Sequence, residues 1–284
     1  MNYRHAYHAG NFADVQKHAV LALIVEHLKR KESAFCYLDT HAGIGSYDLG
    51  SVQAEKTGEW QDGIGRVLAA ATDAPEELAP YLTAVEAVNP GGGVLHYPGS
   101  PQVVASLARP GDRLALCELH PEDVDELRRR FRQDTRIGVH HTDGYGALKS
   151  MLPPPERRGL VLIDPPFEKR DEFAAMRKGL AQAMKRWNSG LYALWYPIKA
   201  REPVARFHAD LCMIDLPKTL VAEVLVAPDD VPDRLNGAGL VLVNPPWKLD
   251  EALETLLPWL ARTLAPQTGS CRVEWLIREK SGAH

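Results

Sequence analysis

Gly159-Leu160-Val161-Leu162-Ile163-Asp164-Pro165-Pro166-Phe167 is the stretch whose reading decides the fold. Its first five residues form an unbroken apolar run, short and bounded by turn residues. That predicts a strand covered on both faces in a parallel sheet. The two prolines then end the ladder and fix the backbone just past the strand. A carboxylate, a carbonyl and an aromatic ring are left at the strand's carboxyl end, the edge at which open α/β sheets hold ligands.

The same pattern repeats on either side. Phe35-Cys36-Tyr37-Leu38 reads as a first buried strand, Arg113–Cys117 as a second and Ile137–His141 as a third; the quoted run is the fourth. Leu191–Tyr196 is a fifth, and Leu220–Val226 and Leu240–Val243 fit a sixth and seventh. Residues 12–30 have apolar positions at helical spacing and end on Lys29, Arg30 and Lys31, which suit a helix C-terminus. Helical patterns over 101–109, 121–132 and 170–188 separate strands. Strands alternating with helices predict a doubly wound, Rossmann-like α/β sheet. One spacing departs from the ordinary unit. An acid usually follows the first glycine turn by about 20 residues, whereas here about 70 positions separate Gly45 from Glu118. Residues 46–97 therefore read as a small helical insertion, with helix-like segments at 61–71 and 76–88. The whole chain, 1–284, is expected to form one domain that begins with an arm and helix over 1–30 and contains this insertion.

Composition narrows the function. An apolar fraction of 45% and a charged fraction of 25% describe an ordinary globule. A net charge of −4 argues against non-specific coating of nucleic acid. Local basic patches remain at Arg128–Arg132 with Arg136, and at Lys169, Arg170, Arg177, Lys178, Lys185 and Arg186. No apolar run approaches a membrane span and no signal region follows the N-terminus, so a cytoplasmic location without a membrane is expected. Cys36, Cys117, Cys212 and Cys271 are scattered without metal spacing, so no metal is expected.

The strand ends carry the chemistry. An exocyclic aromatic amine is a poor nucleophile because its lone pair is delocalised. Asp164 and the Pro165 carbonyl can each accept one N–H, drawing the nitrogen toward tetrahedral geometry, while Phe167 can stack on the base. The Asp-Pro-Pro-Phe quartet resembles the catalytic motif of amino-methyltransferases that act on adenine N6 or a glutamine amide. Gly43 and Gly45 let the backbone approach a ligand. Glu118 can accept both ribose hydroxyls, and Asp143 can meet an adenine amine where Gly144 leaves room. In this order the set resembles the S-adenosylmethionine site of class I methyltransferases. A dinucleotide site expects a third glycine, and Asp48 stands there. Val243-Asn244-Pro245-Pro246-Trp247 repeats the motif after the last strand. It reads as a structural turn beside the substrate groove, because the acceptor motif belongs at the fourth strand.

Longer motifs extend the resemblance over essentially the whole chain. Tyr3-Arg4-His5, His8–Asn11, Ala13-Asp14-Val15 with Lys17-His18, and Leu38–Gly43 are similar to the RlmJ family of bacterial 23S ribosomal RNA adenine-N6 methyltransferases. So are Tyr97–Pro101, Glu118–Pro121, Ile163–Pro166, Tyr192–Pro197 and Asn244–Lys248. Phe167 stands where that family often has Tyr, which preserves stacking and loses a phenolic hydrogen bond. The resemblance implies a class I methyltransferase fold with a helical insertion, S-adenosylmethionine as donor and one adenine of 23S ribosomal RNA as acceptor. It implies cofactor contacts from His18, His41, Gly43, Gly45, Ser100, Glu118, Asp143, Gly144 and Asp164. Asp164, Pro165 and Phe167 would form the catalytic loop. Tyr3, His5 and Lys17 would touch RNA, with the arm closing over both pockets, and the chain would act as a monomer. Three alternatives stay open on the residues alone: a DNA adenine methyltransferase, a protein-glutamine methyltransferase, and a non-catalytic S-adenosylmethionine-binding RNA protein.

Overall fold

A computed structural model describes residues 4–169, 171–232 and 234–279. Ten strands occur among them. They are β1 (Cys36–Asp39), β2 (Ser46–Asp48), β3 (His96–Pro98), β4 (Arg113–Glu118), β5 (Ile137–His141), β6 (Gly159–Ile163), β7 (Leu191–Ile198), β8 (Thr219–Leu225), β9 (Gly237–Val243) and β10 (Ser270–Ile277). The α-helices are α1 (Phe12–Lys29), α2 (Val52–Thr57), α3 (Arg66–Ala69), α4 (Ala79–Ala87), α5 (Ser100–Leu107), α6 (Pro121–Phe131), α7 (Gly144–Ser150), α8 (Glu172–Arg186), α9 (Arg201–Cys212) and α10 (Leu249–Leu264).

Eight strands form one sheet in the order β10-β8-β9-β7-β6-β1-β4-β5. From β7 to β5 neighbours run parallel; β9 is antiparallel to both β7 and β8, and β10 to β8. All five residues of β6 are buried. Alternate residues of each strand face opposite sides. Leu160 and Leu162 join a core with α1, α5 and α10, whereas Val161 and Ile163 join one with α7, α8 and α9. Such a sheet between two helical layers explains why the strands read as unbroken apolar runs. Connections leave β1 toward β4 on one side, and β6 lies on the other, so the strand order reverses between β1 and β6. Ligands bind at this switch point in open sheets.

The segment between β1 and β4 is closed by an antiparallel ladder, Ser46↔Pro98, Tyr47↔Tyr97 and Asp48↔His96, with helices inside it. Residues 61–71 are not one helix. Gly63 leaves helical geometry at φ −98°, ψ −107°, and a Cβ there would lie 2.0 Å from the Gly10 carbonyl oxygen. The kink lets this segment pack on the turn that opens α1, where the Ile64 N–H donates to that carbonyl at 2.9 Å. Strand β10 was not expected from the sequence. It is an edge strand with half-buried faces, so it lacks the continuous apolar run of its neighbours. Among the described residues no helix is long and apolar enough to cross a membrane.

Candidate active site

The carboxyl ends of the parallel strands open into a cleft of about 2500 Å³. Strand β6 delivers Asp164, Pro165, Pro166 and Phe167 to its floor. Phe167 adopts φ +50°, a left-handed conformation that non-glycine residues rarely take. Its ring is held edge-on by Phe173 at 5.0 Å and Trp195 at 5.9 Å between centroids. The loop is thus braced by an aromatic cluster, and the strain marks a position the surrounding structure over-determines.

Helix α1 supplies a buried cation to the same floor. Lys17 Nζ lies 2.7 Å from Asp164 Oδ2 and 2.9 Å from Asp14 Oδ1, and 5.6 Å from the centre of the Trp195 ring. Asp14 Oδ2 in turn meets His5 Nε2 at 2.8 Å and accepts from the Gly10 N–H at 3.0 Å. Burial alone would lower the Lys17 pKa; the facing Asp14 and Asp164 carboxylates more than reverse that and push it up. Burial alone would raise the Asp14 carboxyl, and the His5 and Lys17 charges hold it well below the usual carboxylate range. Lys17 was expected to touch RNA. It is only 4% exposed and its ammonium is shared by two carboxylates. Its position on the same helix turn as Asp14, three residues away, was the available signal.

The other expected residues divide into two groups. His5, Lys17, His18, His41, Gly43, Ser100, Glu118, Asp164, Pro165 and Phe167 all line the one cleft. Gly45, Asp143 and Gly144 do not. Gly45, at φ +83°, turns its α-carbon toward α6, where a Cβ would meet Phe131 at 2.9 Å. Asp143 caps α7 by accepting from the Gly146 N–H at 2.7 Å, and Gly144 packs so closely that a Cβ would lie 2.3 Å from the Thr40 carbonyl oxygen. Tyr3 and Arg170 lie outside the described residues. Arg4 of the arm pairs with Glu122 and Asp123 on α6. Within the first basic patch Arg128 and Arg129 are spent on Asp125 and Glu126 of their own helix.

Two carboxylates organise the donor side, one half-buried and one buried. Glu118 Oε2 accepts from the Gly43 N–H at 2.8 Å, and Oε1 accepts from the N–H groups of Leu119 and His120 at 2.7 and 2.8 Å. Asp39, absent from the expected set, is fully buried at the end of β1. Its Oδ2 accepts from Ser100 Oγ and Tyr37 Oη, each at 2.7 Å, and its Oδ1 from the His41 N–H at 3.2 Å. Burial pushes its carboxyl up to about 6, against the opposing pull of those hydrogen bonds. His18 Nδ1 meets Tyr97 Oη at 2.9 Å, which meets Tyr81 Oη at 3.0 Å. Burial holds the His18 ring well below its ordinary pKa, hence neutral. Its Nε2 is buried with no partner among the described residues. An orphaned nitrogen on a cleft wall is what a ligand's polar group would satisfy.

Asn244, in the second Pro-Pro motif, lies elsewhere. Strand β9 runs antiparallel to β7, so its carboxyl end, Val243, pairs with Tyr192 near the start of β7. Asn244 stands at the sheet edge opposite Asp164, donating at 2.8 Å to the carbonyls of Asn188 and Gly190. It is a turn that does not line the substrate groove.

A parallel sheet of order β7-β6-β1-β4-β5 extended by an antiparallel β9, with a ligand cleft at its switch point, defines a class I methyltransferase. The fold and family imply S-adenosylmethionine as methyl donor. Comparison with known proteins places the chain more closely. Residues 32–277 match the family described as ribosomal RNA large subunit methyltransferase D, RlmJ. Ribosomal RNA large subunit methyltransferase J of Escherichia coli (strain K12) is 45% identical over 280 residues, covering 98% of this chain and all of that one. The protein of that name from Haemophilus influenzae is 45% identical over 281 residues, with the same coverage. A crystal structure from Legionella pneumophila superposes with a TM-score of 0.88 at 32% identity, covering 94% of this chain and 98% of that one. The chain belongs to the RlmJ family.

Proposed function

We propose that this chain transfers a methyl group from S-adenosylmethionine to N6 of one adenine in 23S ribosomal RNA. The observation that carries the reading is the convergence of Asp164, the Pro165 carbonyl and Phe167 on a cleft also lined by His18, His41, Gly43, Ser100 and Glu118. The names of the Escherichia coli and Haemophilus influenzae relatives support large-subunit ribosomal RNA as acceptor.

Bound S-adenosylmethionine supplies an electrophilic methyl, so no covalent enzyme intermediate is needed. The chain's residues supply alignment. Lys17 occupies Asp164 Oδ2, which fixes the carboxylate's orientation and leaves Oδ1 for an amine N–H. The Pro165 carbonyl takes the second N–H, and the nitrogen lone pair is aimed across the cleft. Phe167, braced by Phe173 and Trp195, stacks on the base. His18 Nε2 and Ser100 would hold polar ends of the donor, and Glu118 its ribose. The target base must leave its stack to reach a strand-end pocket. A ribosomal substrate supports action in the cytoplasm.

Asp164→Ala and Asp164→Asn test this directly. Purified protein with labelled donor and unmodified 23S transcript should show donor binding and folding retained, with transfer lowered by about 100-fold or more. Near-normal transfer by Asp164→Ala would refute the assignment.

A further inference from the structure

The cleft extends well past the acceptor loop, and its two halves differ in charge. On the donor side the lining acids include Glu118 and Asp123, with Asp39 buried behind Ser100. On the other side of β6 the lining cations are Lys199, Arg234 and Arg262. All three are exposed, and none has an ion-pair partner among the described residues. That contrasts with Arg4, Lys17 and Arg66, the other cleft cations, each of which is paired with a carboxylate.

Topology places these cations in a row. Lys199 follows the end of β7, the neighbour of β6. Arg234 precedes β9, whose start pairs with the end of β7 (Ile198↔Gly237). Arg262 lies in the last turn of α10, which packs on β8 and β10, and β10 begins beside the end of β8 (Ser270↔Leu225). Strands sit about 4.8 Å apart, so the row starts roughly 5 Å from the acceptor strand at Lys199 and roughly 10 Å from it at Arg234, with Arg262 on the helix that packs on β8 and β10. It stays on the same carboxyl edge as Asp164. In a chain of net charge −4, three unpaired cations on one wall of the substrate cleft are a local exception.

We infer that Lys199, Arg234 and Arg262 form a phosphate track that holds the RNA backbone flanking the target adenine. The inference rests on the proposed ribosomal RNA substrate. The division of charge suits the two substrates: the acidic half faces a cationic donor, and the basic half faces a polyanion. Phosphate contacts of this kind fix register and orientation without reading sequence.

The test is binding of the full-length chain to labelled, unmodified 23S transcript across a salt series. It compares wild type with Lys199→Ala/Arg234→Ala/Arg262→Ala and with a charge-matched control, Lys149→Ala/Lys218→Ala/Lys248→Ala. Three lost contacts to unpaired RNA should make the slope of log K against log salt shallower by about 2. Affinity near 100 mM salt should fall by roughly 10-fold or more, and KM for RNA should rise with it. Melting temperature and donor affinity should stay at wild-type values, and the control should keep the wild-type slope. An unchanged slope in the test variant, or the same loss in both variants, would overturn the track. A wild-type protein that binds RNA but transfers no methyl would refute the proposed function and leave the slope comparison decisive for the track.

Discussion

Replacing Lys17 by Met separates two roles that one buried lysine can play. Met keeps the aliphatic stem and removes the ammonium, so Asp14 and Asp164 are left facing each other across the vacated site. Both contacts to Lys17 are short, 2.9 and 2.7 Å, and Lys17 and Asp14 are almost wholly buried. Removing one member of such a group costs about 3–5 kcal/mol, because a buried charge loses its partner. For a chain of this size that corresponds to a melting-temperature fall of roughly 10 °C. The acid limb should change as well. Asp14 is held below its unfolded value, so its contribution is present above the unfolded pKa and is lost as pH falls through the folded one. Without Lys17 that loss should begin at higher pH. Kinetically, kcat should fall because Asp164 is no longer held, while KM for RNA and the salt dependence of RNA binding stay near wild type. Adding Asp14→Asn should recover part of the melting temperature by relieving the like-charge contact. Thermal melts from pH 4 to 8 and steady-state methyl transfer measure both. An unchanged melting temperature with a raised KM for RNA would refute the clamp and return Lys17 to a phosphate-binding role.

Glu118→Ala should weaken S-adenosylmethionine binding by roughly 10- to 100-fold, because three backbone N–H groups and a ribose lose a charged acceptor worth about 1.5–3 kcal/mol; calorimetry with unchanged affinity would move the donor elsewhere. Asp39 has its folded pKa raised to about 6 from 3.8. Its stabilising influence is therefore full below the unfolded value and lost as pH rises through the folded one, a difference of about 3 kcal/mol. Asp39→Asn should flatten the stability profile between pH 4 and 6, and should weaken donor binding by loosening Ser100 or His41; superimposable profiles for the two proteins would contradict this. His18→Ala should lower donor affinity with little change in RNA binding, and equal donor affinity would leave the orphaned Nε2 without a ligand.

Legibility in the sequence followed burial. Strands covered on both faces, such as Leu160–Ile163 and Leu240–Val243, announce themselves as apolar runs because neither face meets water. Strand β10, with the pattern Ser-Cys-Arg-Val-Glu-Trp-Leu-Ile on an edge, carries no such run to mark it. The ladder of β2 and β3 is three residues long on each side, too short for any periodicity. The acids at strand ends were visible as types and positions. Their partners were not, because the chain distances are large: 147 positions lie between Lys17 and Asp164, and 61 between Asp39 and Ser100. Asp39 lies four residues before Gly43, and nothing in the sequence separates it from an ordinary strand-end acid. The contacts that make it matter come from Tyr37 on its own strand, the next loop and α5.

The two Pro-Pro motifs show what strand direction adds to residue type. Ile163-Asp164-Pro165-Pro166-Phe167 and Val243-Asn244-Pro245-Pro246-Trp247 both end a buried strand, and both place a positive-φ residue in the loop, Phe167 in one and Asn244 in the other. Chemistry alone does not separate them, since a carboxamide oxygen also accepts an N–H. Their strands run in opposite directions. Strand β6 points its carboxyl end at the switch point beside β1, where Lys17 and the donor-side residues converge. Strand β9 enters from that edge and leaves by the other, so its motif meets the 188–190 turn and the Lys218 carbonyl instead. The polarity of an antiparallel neighbour, fixed by how β8 and β9 pair, thus assigns one tetrapeptide to the cleft and its near-copy to the far edge.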